Sequence, residues 1–169
     1  MTARPSRRTL LATGLGLVVG AGATQAGNAV ADQPAPVSPR PPAPGEELMT
    51  EHGVLKRVLL AYRAMIDQLD AGKPPPAGAV TDAAQIISDY VESFHEGLEE
   101  AYVFPRVRDQ HARLVQTLLT QHDRGRHLTA AISTTAVAVD SPAARSALRR
   151  YLGLFVRMYE PHEAWEDTV

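Results

Sequence analysis

No cysteine occurs among the 169 residues of the chain. Without thiols the chain can hold no disulfide scaffold, no cysteine zinc finger, no iron–sulfur cluster and no thiol nucleophile. The sequence also lacks a nucleophile elbow, a P-loop and a dinucleotide-binding fingerprint. Hydrolases and nucleotide-dependent enzymes therefore rank far behind other functional classes.

A basic stripe of the kind that binds nucleic acid is missing as well. The formal net charge is −2, and residues 1–31 carry three arginines and no acidic residue. The rest of the chain contains 14 basic and 19 acidic residues. A mildly acidic body argues against nucleic acid as a partner, so we expect none.

The longest apolar run is too short to span a bilayer comfortably. It extends from Leu10 to Ala23, against the roughly 20 residues that a membrane-spanning helix needs. The preceding segment, residues 6–11 (SRRTLL), resembles a twin-arginine motif, and residues 29–31 (AVA) fit a signal-peptidase cleavage site. We predict that residues 1–31 are a twin-arginine signal peptide, with an uncleaved anchor as the alternative.

This signal predicts export by the twin-arginine route, to the periplasm or the outside of the cell, with no stable membrane anchor after cleavage. Twin-arginine export carries proteins that are already folded, often with a cofactor inserted, which favours a metal or organic cofactor here. Residues 32–45 (DQPAPVSPRPPAPG) are predicted to form a Pro-rich disordered linker. The folded domain is then expected over residues 46–169.

That domain is predicted to be all-α, because no segment alternates apolar and polar residues between turn signals as a strand would. Apolar residues recur at steps of three and four in four segments. We predict helices over about 46–70, from Thr81 or Asp82 to Pro105, over about 109–137, and from Ser141 towards the end. Short connections between them favour an antiparallel up-down four-helix bundle.

Each predicted helix carries one histidine on its apolar seam, where a bundle places leucine or isoleucine. A buried imidazole without a partner costs about 1–3 kcal/mol. One such histidine is usually a satisfied core residue, but a shared metal centre would satisfy four of them together. The four seam histidines are His52, His95, His122 and His162.

Two of these histidines are followed by a carboxylate four residues later. Both segments read H-E-x-x-E, over residues 95–99 and 162–166. Residues four apart lie on the same face of a helix, so Glu99 and Glu166 should point inward with their histidines. Imidazole suits iron, zinc and copper, and carboxylates can join the same ion.

Four segments together resemble the hemerythrin-like domain, also called the HHE cation-binding domain. They read LMTEHGVLKRVL around His52, FHEGLEEAYVFP around His95, LLTQHDRGRHL around His122 and YEPHEAWEDTV around His162. The resemblance covers about residues 46–169 and implies a four-helix bundle with a non-haem di-iron centre, in which carboxylates bridge two Fe ions. It implies, as the metal ligands of this chain, His52, His95, Glu99, His122, His162 and Glu166.

The chain departs from the family pattern in the third helix. Oxygen-carrying members place a second histidine four residues after the first, where this chain has Arg126. His127 is expected at the surface, and Glu96 or Glu163 could fill the position that the missing histidine leaves open. Since some members end in H-x-x-x-x-D, Asp167 is the alternative to Glu166 as the second bridge.

Three classes of function fit these observations. The leading one is an exported metal-binding protein that binds or senses dioxygen, nitric oxide or peroxide, or stores iron. The second is a di-iron oxidase or peroxidase-like enzyme, favoured by the lost histidine ligand. The third is a metal-free helical interaction module. The expected partner in the first class is a small ligand such as O2.

Overall fold

The computed structural model of the chain describes residue 41 and residues 43–167. The predicted signal peptide lies outside the described residues, as does the predicted linker except for residues 41 and 43–45. All described secondary structure is helical, and no strand occurs among the described residues, which confirms the predicted all-α class. No helix in this part of the chain combines the length and the apolar character needed to cross a membrane.

Five α-helices and two π-helical segments follow one another over residues 43–167. We label the π-helical segments π1 and π2. In chain order the elements are α1 Pro44–Asp70, α2 Ala77–Ile86, π1 Ile87–His95, α3 Glu96–Leu98, π2 Glu99–Val103, α4 Phe104–Ala136 and α5 Pro142–Glu166.

Helix α1 begins two residues before the predicted start. Pro44 occupies its first turn, where a missing N–H costs nothing, and the Glu46 carboxylate accepts a hydrogen bond from the Ala43 N–H at 2.8 Å. After Asp70 the chain turns through Gly72, whose φ of +74° favours glycine. The three prolines 74–76 then separate α1 from α2.

The predicted end of the second helix was wrong. Pro105 was expected to close it, but Pro105 lies in the first turn of α4, where proline is tolerated. The helical chain instead runs on to His111, whose backbone angles (φ −128°, ψ 35°) are not helical. The start was also misplaced, because α2 begins at Ala77, ahead of Thr81.

Helix α5 begins as the sequence predicted. The Ser141 side chain accepts a hydrogen bond from the Ala144 N–H at 3.1 Å, with Pro142 following in the first turn. Helix α4 contacts both α5 and α2, and α1 contacts α5. These contacts bring the seam histidines of separate helices towards one another.

Two groups of buried apolar side chains among the described residues contact the seam histidines. The larger includes Tyr62, Leu152 and Tyr159, and the smaller consists of Phe104, Val115 and Leu118. Tyr159 meets His162 edge-on with ring centroids 5.2 Å apart, and the Phe104 ring stacks on His122 at 5.4 Å. His122 and His162 thus lie in contact with buried apolar side chains of both groups.

Candidate metal centre

All six predicted metal ligands are buried and lie together. Their exposed fractions run from 0 to 8%. They come from four parts of the fold that are distant in sequence, and the structure brings them together as the sequence predicted. They are His52 on α1, His95 on π1, Glu99 on π2, His122 on α4, and His162 and Glu166 on α5.

The first half of the cluster joins α1, the π segments and α5. One ligand atom from each of His52, His95, Glu99 and Glu166 lies within 4.8 Å of all the others. His52 Nε2 is 3.4 Å from Glu166 Oε2, and His95 Nε2 is 3.6 Å from Glu99 Oε1. Donors that each sit about 2.1 Å from one cation are about 3.0–3.5 Å apart, so this spacing suits a shared ion.

The second half joins α4 and α5. One ligand atom from each of His122, His162 and Glu166 likewise lies within 4.8 Å of the other two, so Glu166 belongs to both halves. Glu166 Oε1 is 2.9 Å from His162 Nε2 and 3.2 Å from His122 Nε2. The two histidine rings meet edge-on with centroids 5.0 Å apart. This half therefore offers two imidazole nitrogens and a carboxylate oxygen.

Two carboxylates face both halves at once. Glu166 turns Oε2 towards His52 and Oε1 towards His122 and His162. Glu99 turns Oε1 towards His95 and Oε2 towards His122, at 3.7 Å. Each carboxylate thus divides its two oxygens between the two histidine pairs, which is the arrangement that a bridge between two cations requires.

The structure places Asp167, the alternative bridge, outside the cluster. Adjacent helical residues point about 100° apart, so Glu166 and Asp167 cannot both face inward. The Asp167 side chain is 41% exposed, and its Oδ1 accepts a hydrogen bond from His52 Nδ1 at 3.1 Å. Asp167 therefore orients the His52 ring through Nδ1, the ring nitrogen that faces away from the cluster.

Every seam histidine has a hydrogen-bond acceptor at Nδ1, on the side of the ring that faces away from the cluster. Carboxylate and amide oxygens only accept hydrogen bonds, so each Nδ1 carries the proton. Each Nε2 is then unprotonated, faces inward and has a lone pair free to bind a metal ion. Besides Asp167, these acceptors are Glu51 for His95, Glu100 for His122 and Gln121 for His162, each at 2.9 Å.

The sequence analysis did not identify Glu51, Glu100 and Gln121 as hydrogen-bond acceptors of the histidines, although their positions offered a clue. Each acceptor is the chain neighbour of a predicted ligand on its own helix, yet it serves a histidine on a different helix. Glu51 precedes His52 but bonds His95, and Gln121 precedes His122 but bonds His162. A polar residue beside an inward ligand points towards the adjacent helix, because of the same 100° rotation.

The π-helical segments set the direction of His95 and Glu99. The Glu96 N–H bonds the Val91 carbonyl, and the Phe104 N–H bonds the Glu99 carbonyl, both five residues back. Each such turn holds one residue more than an α-turn, so it rotates the residues that follow it around the helix axis. Wide turns of this kind occur often at functional sites.

Neither Glu96 nor Glu163 fills a position inside the cluster. Glu96 accepts a hydrogen bond from the Tyr159 hydroxyl at 2.8 Å, and Arg126 Nη2 lies 2.9 Å from its other oxygen. Arg126 also donates to Glu100 at 2.6 Å, so its charge lies behind His122. Glu163 faces Lys56 at 3.6 Å. His127 is exposed, as the sequence predicted.

Burial and neighbouring groups shift the pKa values of Glu99 and Glu166 in opposite directions. Burial first, and then the charge of Glu166, raise the pKa of Glu99 to about 9. Burial alone would also raise the pKa of Glu166, but the imidazole rings of His122, His162 and His52 beside its carboxylate hold that pKa far below its usual range. Two carboxylates this close repel each other unless positive charge lies between them.

Two inward-facing atoms have no hydrogen-bond partner among the described residues. These are His52 Nε2 and Glu99 Oε2, both buried. Leaving a buried polar atom unpaired costs about 1–3 kcal/mol. Both atoms face the interior of the cluster, where a cation would satisfy them, so the donor set fits metal ions.

A cavity of about 770 Å³ reaches one side of the cluster only. His52, Glu99 and Glu166 form part of its wall, whereas neither His122 nor His162 lines it. Phe104, which stacks on His122, separates that half from the opening. The two halves of the cluster therefore differ in access from solvent.

Comparisons with known proteins agree with this geometry. The model of the hemerythrin HHE cation-binding domain matches residues 43–162. Uncharacterized proteins of Mycobacterium bovis and of two strains of Mycobacterium tuberculosis are each 49% identical over 130 residues, covering 73% of this chain and 50% of theirs. The chain thus spans about half the length of these relatives. No solved structure matches it significantly.

Proposed function

The chain belongs to the hemerythrin HHE cation-binding family, and from that premise we propose that it is an exported protein whose non-haem di-iron centre binds or senses dioxygen or a related small oxidant. Nitric oxide and peroxide belong to the same class of ligand. The observation that carries the proposal is that Glu99 and Glu166 each divide their two oxygens between the two histidine pairs.

The chain would hold one iron with His52 and His95 and the other with His122 and His162. Glu99 and Glu166 would contribute to both. Each ion would then have two imidazole nitrogens and two carboxylate oxygens from the protein, which leaves coordination positions open on a metal that takes up to six ligands. Such a centre, when bound, would supply reversible electron transfer to a small oxidant.

The protein's own residues restrict where a small ligand can arrive. The cavity touches the His52 side, and Phe104 covers His122 on the other side. We infer that the ligand approaches the iron held by His52 and His95. The acceptors behind the rings, such as Glu51 on His95, keep each Nε2 aimed inward.

The proposal includes a finer description of the fold. We propose that α1, the helical stretch from α2 through π2, α4 and α5 form an antiparallel up-down four-helix bundle. The contacts of α1 with α5, of α5 with α4 and of α4 with α2 support it. An antiparallel arrangement would bring the early His52 beside the late Glu166, which are close neighbours here.

Export by the twin-arginine route, to the periplasm or the outside of the cell, remains part of the proposal. We propose a small ligand as the partner and neither nucleic acid nor a stable membrane anchor after cleavage. The twin-arginine-like segment at residues 6–11 supports export. A fusion of residues 1–31 to a reporter that requires the twin-arginine pathway tests it, and cytoplasmic retention of the fusion contradicts it.

A second candidate function is a di-iron oxidase or peroxidase-like enzyme. The size of the cavity favours it, since about 770 Å³ leaves room for the organic reductant that such an enzyme oxidises with the small oxidant. Steady peroxide consumption that is lost in Glu99→Ala separates this candidate from simple ligand binding. The metal-free module is disfavoured by the unpaired inward atoms of His52 and Glu99.

Anaerobic reconstitution with ferrous iron tests the leading proposal. We expect two irons per chain by elemental analysis and, on admission of air, near-ultraviolet absorption typical of an oxo- or hydroxo-bridged ferric pair. A protein that takes up no iron under these conditions, or that takes up one iron and shows no such absorption, contradicts the di-iron centre.

A further inference from the structure

We propose that the cavity beside the metal centre binds an uncharged, largely apolar organic molecule whose inner end lies against the iron on the His52 side. The contact with iron rests on the proposed function. The binding site itself rests on the shape and lining of the cavity.

The cavity is far larger than a diatomic ligand requires. A water molecule occupies about 30 Å³ of liquid, so about 770 Å³ could hold roughly 25 of them. Pockets for cofactor- and drug-sized molecules range over about 300–1,000 Å³. Access for O2 alone would not call for a space of this size.

The walls of the cavity are mainly apolar. Leu48, Leu98, Val103 and Phe104 line it. Large hydrophobic side chains that stay half exposed also belong to the lining: Met49 is 50%, Phe94 48% and Tyr102 59% exposed. Exposed apolar groups gathered at one concave site are typical of a ligand-binding surface.

No buried charge in the lining is available to hold an ionic head group. Glu51 and Asp167 already accept hydrogen bonds from His95 and His52. Glu47 is exposed to solvent, and so is Arg106, which donates to the Tyr102 carbonyl. The remaining charged groups of the lining are metal-ligand candidates. The lining thus favours an uncharged ligand, and the metal centre forms the polar end of the site.

Equilibrium dialysis of the iron-loaded full chain against N-phenyl-1-naphthylamine, an uncharged aromatic probe, tests the inference. The probe is extracted into hexane before assay, so that iron does not quench its fluorescence. We expect saturable binding of one probe per chain. The absence of saturable binding overturns the proposal, and this includes the case in which another segment of the chain fills the cavity.

Paired substitutions on α1 locate the bound probe. Leu48 and Leu69 are both half buried on this helix, but only Leu48 lines the cavity. Leu48→Trp should weaken probe binding at least tenfold, while Leu69→Trp should leave it within twofold of the parent chain. Equal binding by both variants overturns the assignment to this cavity. Val107→Trp, on α4, gives a second cavity-filling variant if Leu48→Trp does not fold.

Azide tests the contact with the metal separately. Azide binds open positions of ferric iron and produces a visible absorption band. Saturating probe should reduce the azide band if the probe's inner end lies against the iron. An unchanged band contradicts this contact. Iron analysis of the same samples keeps the two proposals apart, because saturable probe binding in a chain that holds no iron would overturn the di-iron centre and leave the cavity site standing.

Discussion

Gly125 on α4 faces Tyr159 on α5 so closely that a Cβ atom at position 125 would lie 1.9 Å from the tyrosine hydroxyl oxygen. The same hydroxyl donates a hydrogen bond to Glu96 at 2.8 Å. The absence of a side chain at position 125 therefore lets Tyr159 pass over α4 and reach Glu96. Glu96 in turn lies beside Arg126, so this contact links α5 to the groups behind His122.

Gly125→Ala should destabilise the protein. The buried Tyr159 ring must move, which breaks its bond to Glu96, and overpacking of this kind costs about 1–3 kcal/mol. Differential scanning calorimetry of the iron-loaded protein measures the drop in Tm. Gly53→Ala, inside α1 with open space around its Cβ, should hold or slightly raise Tm. Equal Tm values for the two variants would contradict the close approach.

If the proposed di-iron centre is correct, Glu166→Gln should reduce the iron content below two per chain, because the Glu166 carboxylate faces both histidine pairs. Glu163→Gln is the matched control: Glu163 is also buried on α5, but it faces Lys56 and not the cluster. Elemental analysis after anaerobic reconstitution gives the result. Two irons per chain in Glu166→Gln, or a loss of iron in Glu163→Gln alone, would show that the bridge is assigned to the wrong residue.

Removal of metal by a chelator should lower Tm. A ligand held at 1,000 times its Kd stabilises the folded state by about 4 kcal/mol. Without cations, the buried His52 Nε2 and Glu99 Oε2 also stay unpaired. Calorimetry before and after chelation, followed by reloading with iron, measures the effect. A chelated protein that melts at the same temperature as the loaded one argues for the metal-free module.

His122→Leu discriminates between the same two alternatives. His122 is fully buried against Phe104, so a leucine fits the surroundings by polarity. If the chain acts without metal, Tm should rise, because an apolar residue replaces a buried imidazole. If iron binds there, the iron-loaded variant should melt lower than the parent and hold less iron. His127→Leu, at the surface, should change neither property.

Arg126→Ala should destabilise the protein without emptying the centre. The guanidinium lies beside Glu96 and Glu100, and Glu96 is only 1% exposed. Losing the partner of a buried carboxylate costs about 1–3 kcal/mol, and the partial exposure of Arg126 favours the lower end. Arg124→Ala, an exposed neighbour on α4, should leave Tm unchanged. A loss of iron in Arg126→Ala with unchanged Tm would place Arg126 among the ligands.

The helical pattern and the inward faces were readable from sequence, because each depends on residues within one or two turns. The seam positions of His52 and His122 and the four-residue steps from His95 to Glu99 and from His162 to Glu166 are local. The positions of the helix ends were predicted less accurately. Pro105 signalled a stop although it begins a helix, since proline is compatible with either position.

The amino-acid sequence by itself determined that the chain is helical, that one histidine of each predicted helix faces inward and that the chain belongs to the hemerythrin HHE cation-binding family. These properties follow from local periodicity and from short segments. Only the tertiary structure decided that Glu166 and not Asp167 enters the cluster, that Arg126 turns behind His122, and that Glu51 and Gln121 orient histidines of other helices. Each depends on the rotation of one helix against its neighbour, and a difference of one residue changes that direction by about 100°.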